Sequence, residues 1–224
     1  MKKFVFGLFL AIVSLTAFAQ YDPKALETLD AMSKRYKEIN AFEASISSVM
    51  TNEVEKLREE MKARITVKGE KFRLVLLSFD PEKKTEVTDQ EVINNGTTVW
   101  TYVASAKEVT IDDVDPTSDE INPAKIHEIY KKGYKYLYLG EQTEAGVPVE
   151  VVDLVPEKRN AQYFKIRMNI GKKDRTIKSW VMFDKSGSRY TYTVTKFTPG
   201  AKVDDAFFVF DPKKYPGVAV EDLR

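Results

Sequence analysis

Hydrophobic residues near the start of the chain recur at helical spacing. The apolar stripe consists of Leu26, Leu29, Met32, Tyr36 and Ile39. Asp22-Pro23 precedes it as a helix cap followed by proline at the first helical position, and Asn40 follows it. The pattern predicts one amphipathic helix that begins at Pro23 and ends near Asn40.

From residue 42 onwards the apolar positions alternate with polar ones, which is typical of half-buried strands. The clearest examples are residues 61–68 and 163–170. Gly69-Glu70 and Asn94-Asn95-Gly96 are typical hairpin turns. Strands are predicted at residues 42–51, 61–68, 72–79, 92–93, 97–103, 108–111, 134–140, 147–155, 163–170, 176–183, 190–197 and 207–210. An acidic loop (112–122) and a short helix (123–132) interrupt the series.

Successive strands with one apolar and one polar face favour a single antiparallel sheet that curls on itself. The two helices cannot complete this sheet, but they can cover its open, apolar face. We therefore expect a mainly β fold with helices (α+β). It would be an unclosed antiparallel β-barrel, or strongly curved sheet, with a helical lid over an apolar cavity, formed by one domain of residues 20–224.

Residues 1–19 have the pattern of a cleaved export signal. Lys2 and Lys3 precede an apolar run, and Ala17-Phe18-Ala19 forms a small-x-small cleavage site before Gln20. The run is too short to span a bilayer. We therefore expect a periplasmic protein. The chain has no cysteine, so it forms no disulfide, and Gln20 stands where a lipoprotein would carry its acylated cysteine.

Charge and residue types argue against several functions. Without Lys2 and Lys3 the chain keeps 33 of its 35 basic residues against 34 acidic ones, a balance that argues against nucleic-acid binding. His127 is the single histidine of the sequence, which leaves little material for a catalytic triad or a zinc site. The acidic run has Ser118 and Ala124 where a calcium loop starting at Asp113 needs glycine and glutamate. We expect no enzyme activity, no cofactor and no metal.

Three segments together resemble the periplasmic outer-membrane lipoprotein carrier family (LolA-like). They are the opening helix with the strand after it, the hairpin Asn95-Gly96-Thr97-Thr98-Val99-Trp100-Thr101-Tyr102, and the tail Phe208-Val209-Phe210-Asp211-Pro212 with Pro216-Gly217-Val218. The resemblance implies a monomeric carrier without chemistry. It would bind the acyl chains of lipoproteins that an inner-membrane ABC transporter releases, and shuttle them toward an unidentified outer-membrane acceptor. Family members hold the lid closed through a basic residue at the position of Gly69, so this chain departs from the pattern there.

Alternation along the strands suggests which residues form the acyl-binding site, although such residues also simply fill cores. The expected cavity wall consists of Met61, Ile65, Val67, Trp100, Tyr102, Phe164, Ile166, Met168 and Ile170. The expected lid residues are Leu26, Leu29 and Tyr36. The alternative to a carrier is a periplasmic regulatory module of the same fold that senses a lipid or a partner protein.

Overall fold

The computed structural model describes residues 21–115 and 121–224. The predicted export signal and part of the acidic run lie outside these residues. Helix α1 (Pro23–Ile39) begins and ends as predicted. The Asp22 side chain accepts hydrogen bonds from the backbone N–H groups of Lys24 and Ala25, and the N–H of Asn40 donates to the Tyr36 carbonyl at the other end. Within the described ranges, no helix combines the length and the hydrophobicity needed to cross a membrane.

Twelve strands follow α1 and form one sheet. They are β1 (Ala41–Asn52), β2 (Leu57–Lys68), β3 (Lys71–Asp80), β4 (Thr85–Asn94), β5 (Thr98–Val103), β6 (Glu108–Asp113), β7 (Tyr134–Glu144), β8 (Val147–Pro156), β9 (Tyr163–Gly171), β10 (Ile177–Asp184), β11 (Ser188–Pro199) and β12 (Ala219–Asp222). A 3₁₀ helix, Pro123–Lys131, lies between β6 and β7, and two short 3₁₀ turns (Asp205–Phe208 and Pro212–Lys214) precede β12.

The strand order is β12-β6-β5-β4-β3-β2-β1-β11-β10-β9-β8-β7. Two antiparallel meanders, β1 to β6 and β7 to β11, are joined where β1 pairs with β11, from Phe42 opposite Pro199 to Asn52 opposite Ser188. β12 adds to β6 as a parallel strand. The sheet is strongly curved and unclosed, as the sequence predicted.

The main core lies between one face of this sheet and the two helices. We call this the inner face, and we call α1 and the 3₁₀ helix Pro123–Lys131 together the lid. The buried inner-face residues are Phe42, Ala44, Ile65, Val67, Phe72, Val152, Leu154, Ile166, Met168, Ile170, Ile177 and Met182. Because they come from strands of both meanders, the sheet wraps around the lid.

A second, smaller core lies on the opposite, outer face. Ile93 and Val109 pack there against Phe208 and Phe210 of the C-terminal segment. Lys68 and Lys71 bind Asp205 at 2.9 and 2.7 Å and fix the beginning of that segment. The C-terminal segment therefore covers the outer face of β3 to β6 and takes no part in the lid.

Candidate functional site

The lid closes one half of the inner face. Leu29 and Met32 of α1 are fully buried against the sheet. The Tyr36 ring meets Phe42 and Phe197 edge-on, with centroids 5.5 and 5.9 Å apart. Its hydroxyl accepts a hydrogen bond from the N–H of Ile177 at 3.2 Å, and burial raises the pKa of this phenol. Tyr36 therefore connects α1 to both meanders of the sheet.

Asp22 fixes the beginning of α1 to the sheet. One carboxylate oxygen caps the helix, and the other accepts a hydrogen bond from the N–H of Tyr138 on β7 at 3.0 Å. Burial acts to raise the pKa of Asp22, but its three backbone N–H donors outweigh burial and leave the pKa lowered. The carboxylate is therefore ionised at neutral pH and serves as cap and as anchor.

Glu150 is a buried carboxylate on the inner face, beneath α1. Its side chain is 2% exposed and pairs with the guanidinium of Arg175. From the lid, the Thr28 hydroxyl donates to it at 3.3 Å and the Lys24 ammonium lies 3.8 Å away. An ion buried this deeply needs such partners because leaving water is unfavourable. Two of these three partners belong to the lid, so lid opening would remove them from Glu150.

The two lid elements also bind each other. The Tyr130 hydroxyl donates to Asp30 at 2.5 Å, and Lys37 pairs with Glu128 at 3.0 Å. The Lys37 ammonium is the main cause that lowers the pKa of Glu128 to about 2. His127 stacks on Tyr36, with centroids 5.0 Å apart, and burial lowers its pKa. His127 is thus a neutral lid-packing residue.

Gly69 also meets the lid, although it has no side chain. Its φ of +60° favours glycine in the turn between β2 and β3, and its N–H donates to the carbonyl of Asn40 at 2.9 Å. In the family that the sequence resembles, a basic side chain at this position holds the lid closed. In this chain the same position contacts the end of α1 through a backbone hydrogen bond instead. Side-chain contacts between the lid and the sheet lie at Asp22, Tyr36 and Glu150.

The other half of the inner face is only partly buried and is rich in aromatic and methionine side chains. We call this half the open trough; its residues are Met50, Met61, Trp180, Tyr190 and Tyr192. The Trp180 and Tyr192 rings stack with centroids 4.7 Å apart. Tyr192 and Tyr190 stand opposite Ser48 and Met50 of β1, and Ser48 in turn pairs with Met61. The open trough is continuous with the buried core because Met182, the partner of Tyr190, belongs to that core.

Most of the predicted wall residues lie on the inner face. Ile65, Val67, Ile166, Met168 and Ile170 are buried there, and Met61 extends from them into the open trough with 42% exposure. Of the expected lid residues, Leu29 and Tyr36 are buried, whereas Leu26 is 37% exposed.

The structure contradicts the prediction that Trp100 and Tyr102 belong to the cavity wall. Trp100 pairs with Ile93 of β4, and the Trp100 and Tyr102 rings pack in the second core on the outer face. Alternation correctly places Trp100 and Tyr102 on one face of β5, but that face is covered by the C-terminal segment and not by the lid.

The structure also contradicts the prediction that Phe164 belongs to the cavity wall. The register between β9 and β10 shifts so that Lys165 and Tyr163 have partners and Phe164 does not. This bulge turns Phe164 outward, where it is 49% exposed, while Tyr163 packs against the main core. Tyr163 therefore occupies the inner-face place that the sequence assigned to Phe164.

Sequence reasoning missed the aromatic residues of the open trough and the buried Glu150. Trp180 and Met182 are alternate residues of β10 and lie on one face, as do Tyr190 and Tyr192 of β11. This alternation in the sequence indicates that they belong to the same apolar face. Glu150 gives no such signal, because nothing local shows that a glutamate between valines is paired with Thr28 and Arg175.

Two surface cavities are lined by charged groups. One of about 600 Å³ lies on the outer face beside Arg73, Glu91 and Tyr215. The other, of about 540 Å³, lies along the lid beside Asp30, Lys34 and Lys37. Neither suits an acyl chain, because burying a hydrocarbon there would strip water from charged groups. Among the described residues, no group of histidine, cysteine, aspartate or glutamate side chains has the geometry of a metal site.

The family model described as "Outer membrane lipoprotein carrier protein LolA" matches residues 83–211, more than half of the chain. This range runs from β4 to the C-terminal segment and includes the 3₁₀ helix of the lid. No curated protein matches the sequence significantly.

Solved structures share the fold. An uncharacterized conserved protein from Thermus thermophilus superposes with a TM-score of 0.60 at 16% identity, covering 89% of this chain and 99% of that protein. LprF from Mycobacterium bovis gives 0.48 at 17% identity, covering 83% of this chain and 97% of LprF. The Pseudomonas aeruginosa MucA/MucB complex gives 0.43 at 15% identity, with coverages of 85% and 62%. The likeness of fold rests on the Thermus protein.

Proposed function

The chain belongs to the outer membrane lipoprotein carrier (LolA) family, and from this premise we propose that it binds the acyl chains of lipoproteins on its inner face and carries them through the periplasm. The family consists of binding and carrier proteins and not of enzymes. We propose that the cargo moves from the inner toward the outer membrane and that an inner-membrane ABC transporter supplies it.

The observation that carries the proposal is the continuity of the inner face. Its buried half is lined by Ile65, Met168 and Ile170, and its open half by Trp180 and Tyr192. Methionine and aromatic side chains adapt to flexible apolar ligands. An acyl chain that enters the open trough would continue along apolar side chains into the region beneath α1.

The energetics of cargo and lid support a carrier that also releases its ligand. Exposing an acyl chain of ~16 carbons to water costs about 13 kcal/mol, at about 0.8 kcal/mol per methylene. Leu29 and Met32 of α1 occupy the inner face when the lid is closed, so lid and cargo would compete for it. The difference between these two burial energies sets the affinity, which makes release possible without chemistry.

Inner-membrane vesicles that display a newly acylated lipoprotein test the proposal. Incubation with the exported protein should move lipoprotein into the soluble fraction as a complex. Met61→Glu places a charge in the open trough and should reduce the release. Val220→Glu places the same charge on β12, where Val220 is 53% exposed, and should leave release unchanged.

Two outcomes would contradict the carrier function. Equal release by the two variants would show that the inner face is not the binding surface. Absence of release, together with a stable complex with a protein partner, would favour the regulatory module.

A further inference from the structure

The outer face carries a cross-strand row in which basic and apolar residues alternate. Lys135 of β7 pairs with Val155 of β8, and Lys165 of β9 pairs with Phe183 of β10, which pairs with Arg189 of β11. Val155 follows Leu154, the partner of Ile166, so Val155 stands beside Lys165. We call these five residues the rim row.

Phe164 extends the rim row toward the end of the sheet. The bulge that turns it outward places its ring 6.0 Å from that of Phe183, measured between centroids. The Lys165 ammonium lies 4.2 Å from the centroid of the Phe183 ring. Val155 and Phe164 are 42% and 49% exposed, so this end of the outer face presents apolar groups directly beside cations.

The charge around the rim row is positive. Residues 155–165 and 183–189 contain five basic side chains and two acidic ones, Glu157 and Asp184. Glu157 accepts a hydrogen bond from the Tyr21 hydroxyl, and Asp184 accepts one from the N–H of Ser186.

Two of the rim-row cations have a carboxylate partner, but basic side chains still outnumber acidic ones around the row. Asp153 is bound by Arg167 through two bonds of 2.7 and 2.9 Å, while Lys165 lies 3.7 Å away. Glu53 pairs with Arg189 at 3.4 Å, but both side chains are more than half exposed. A pair so exposed to water contributes little and exchanges readily.

The rim row lies at the end of the sheet where the inner face is open. Tyr163 immediately precedes Phe164 and packs against Tyr190 of the open trough, with centroids 6.0 Å apart. The turns that join β8 to β9 and β10 to β11 therefore carry the trough on one side and the rim row on the other.

We propose that the rim row is a docking surface for an anionic lipid membrane. Cations attract the phosphate groups of anionic lipids, and the long stems of lysine and arginine let apolar neighbours reach the headgroup layer. Single aromatic and aliphatic residues between cations match a fluid interface that has no fixed shape. Docking here brings the mouth of the open trough to the bilayer surface. This surface is separate from the acyl-binding site and does not depend on the proposed cargo.

Vesicles free of lipoprotein test the surface independently of the carrier assay. The exported protein is titrated with vesicles of phosphatidylcholine alone and of phosphatidylcholine mixed with phosphatidylglycerol. We expect the protein to bind the vesicles that contain phosphatidylglycerol and not those of phosphatidylcholine alone. This binding should weaken as the salt concentration rises. Lys165→Gln/Arg189→Gln should weaken that binding roughly tenfold or more, because each cation near an anionic surface contributes about a fivefold factor.

Two variants make the test specific to the rim row. Phe164→Ser should weaken binding while leaving its salt dependence unchanged. Lys213→Gln/Lys214→Gln removes the same charge from an exposed turn of the C-terminal segment and should bind as the parent does. Circular dichroism melting confirms that each variant is folded. Absence of binding to anionic vesicles, or equal weakening by the two double variants, overturns the proposal.

Discussion

Removing the Leu29 side chain by Leu29→Ala tests the competition between lid and cargo. Leu29 is fully buried between α1 and the sheet, and replacing such a leucine by alanine costs about 3 kcal/mol. If this loss falls on the closed lid, the ratio of open to closed lid rises roughly 100-fold. The apparent affinity for an acyl ligand should then rise by up to that factor, because less of the binding energy is spent on displacing α1.

A fluorescent acyl probe measures the affinity, and hydrogen exchange measures opening of the lid. In Leu29→Ala, the amides of α1 should exchange faster than those of β9 when each is compared with the parent. Leu26→Ala is the matched control: the same residue type on the same helix, but 37% exposed. It should change stability by less than about 0.5 kcal/mol and leave the affinity unchanged. Weaker probe binding by Leu29→Ala, or equal behaviour of the two variants, would refute the competition.

Two further predictions concern the lid contact and the outer face. Because the pKa of Glu128 is about 2 instead of its ordinary 4.5, its pair with Lys37 should add stability above pH 4.5 and lose it as the pH falls toward 2. Allowing for solvent screening, we expect the pair to contribute about 1 kcal/mol to the free energy of unfolding. Melting curves measured across this pH range should show that Glu128→Gln lacks this pH-dependent contribution; an unchanged pH dependence would contradict the assignment. Tyr215→Phe removes the hydroxyl that donates to the buried Glu91 and should lower the melting temperature through a loss of about 1–3 kcal/mol. Its affinity for the acyl probe should stay at the parent value because Tyr215 lies on the outer face, and a weakened affinity would argue against separate faces.

The elements with local signals were predictable from the sequence. The bounds of α1 follow from Asp22, Pro23 and its apolar stripe, all of which lie in the helix itself or directly before it. Alternation and turns likewise predict β1 to β11, with β4 foreseen only at residues 92–93. The strand predicted at residues 207–210 is wrong, because the chain forms a 3₁₀ turn there (Asp205–Phe208), and β12 was not predicted. The curved sheet with a helical lid then follows because one apolar face of the strands requires cover.

The face assignments were less predictable because they depend on distant contacts. Alternation shows that Trp100 and Tyr102 share a face, but the residues that cover that face, Phe208 and Phe210, lie about a hundred positions further along the chain. The bulge at Phe164 depends on the register with β10. The buried Glu150 is tolerated because Arg175 and Thr28 reach it in the folded state.

The two tryptophans of the chain allow a direct test of the central claim that acyl chains bind the inner face. Trp180 lies in the open trough, and Trp100 lies on the outer face in the second core. Trp100→Phe leaves Trp180 as the sole indole fluorophore, and Trp180→Phe leaves Trp100. A brominated acyl chain, which quenches indole fluorescence on contact, should quench the first variant in a saturable manner and leave the second unchanged. Quenching of Trp100 without Trp180 would contradict the account.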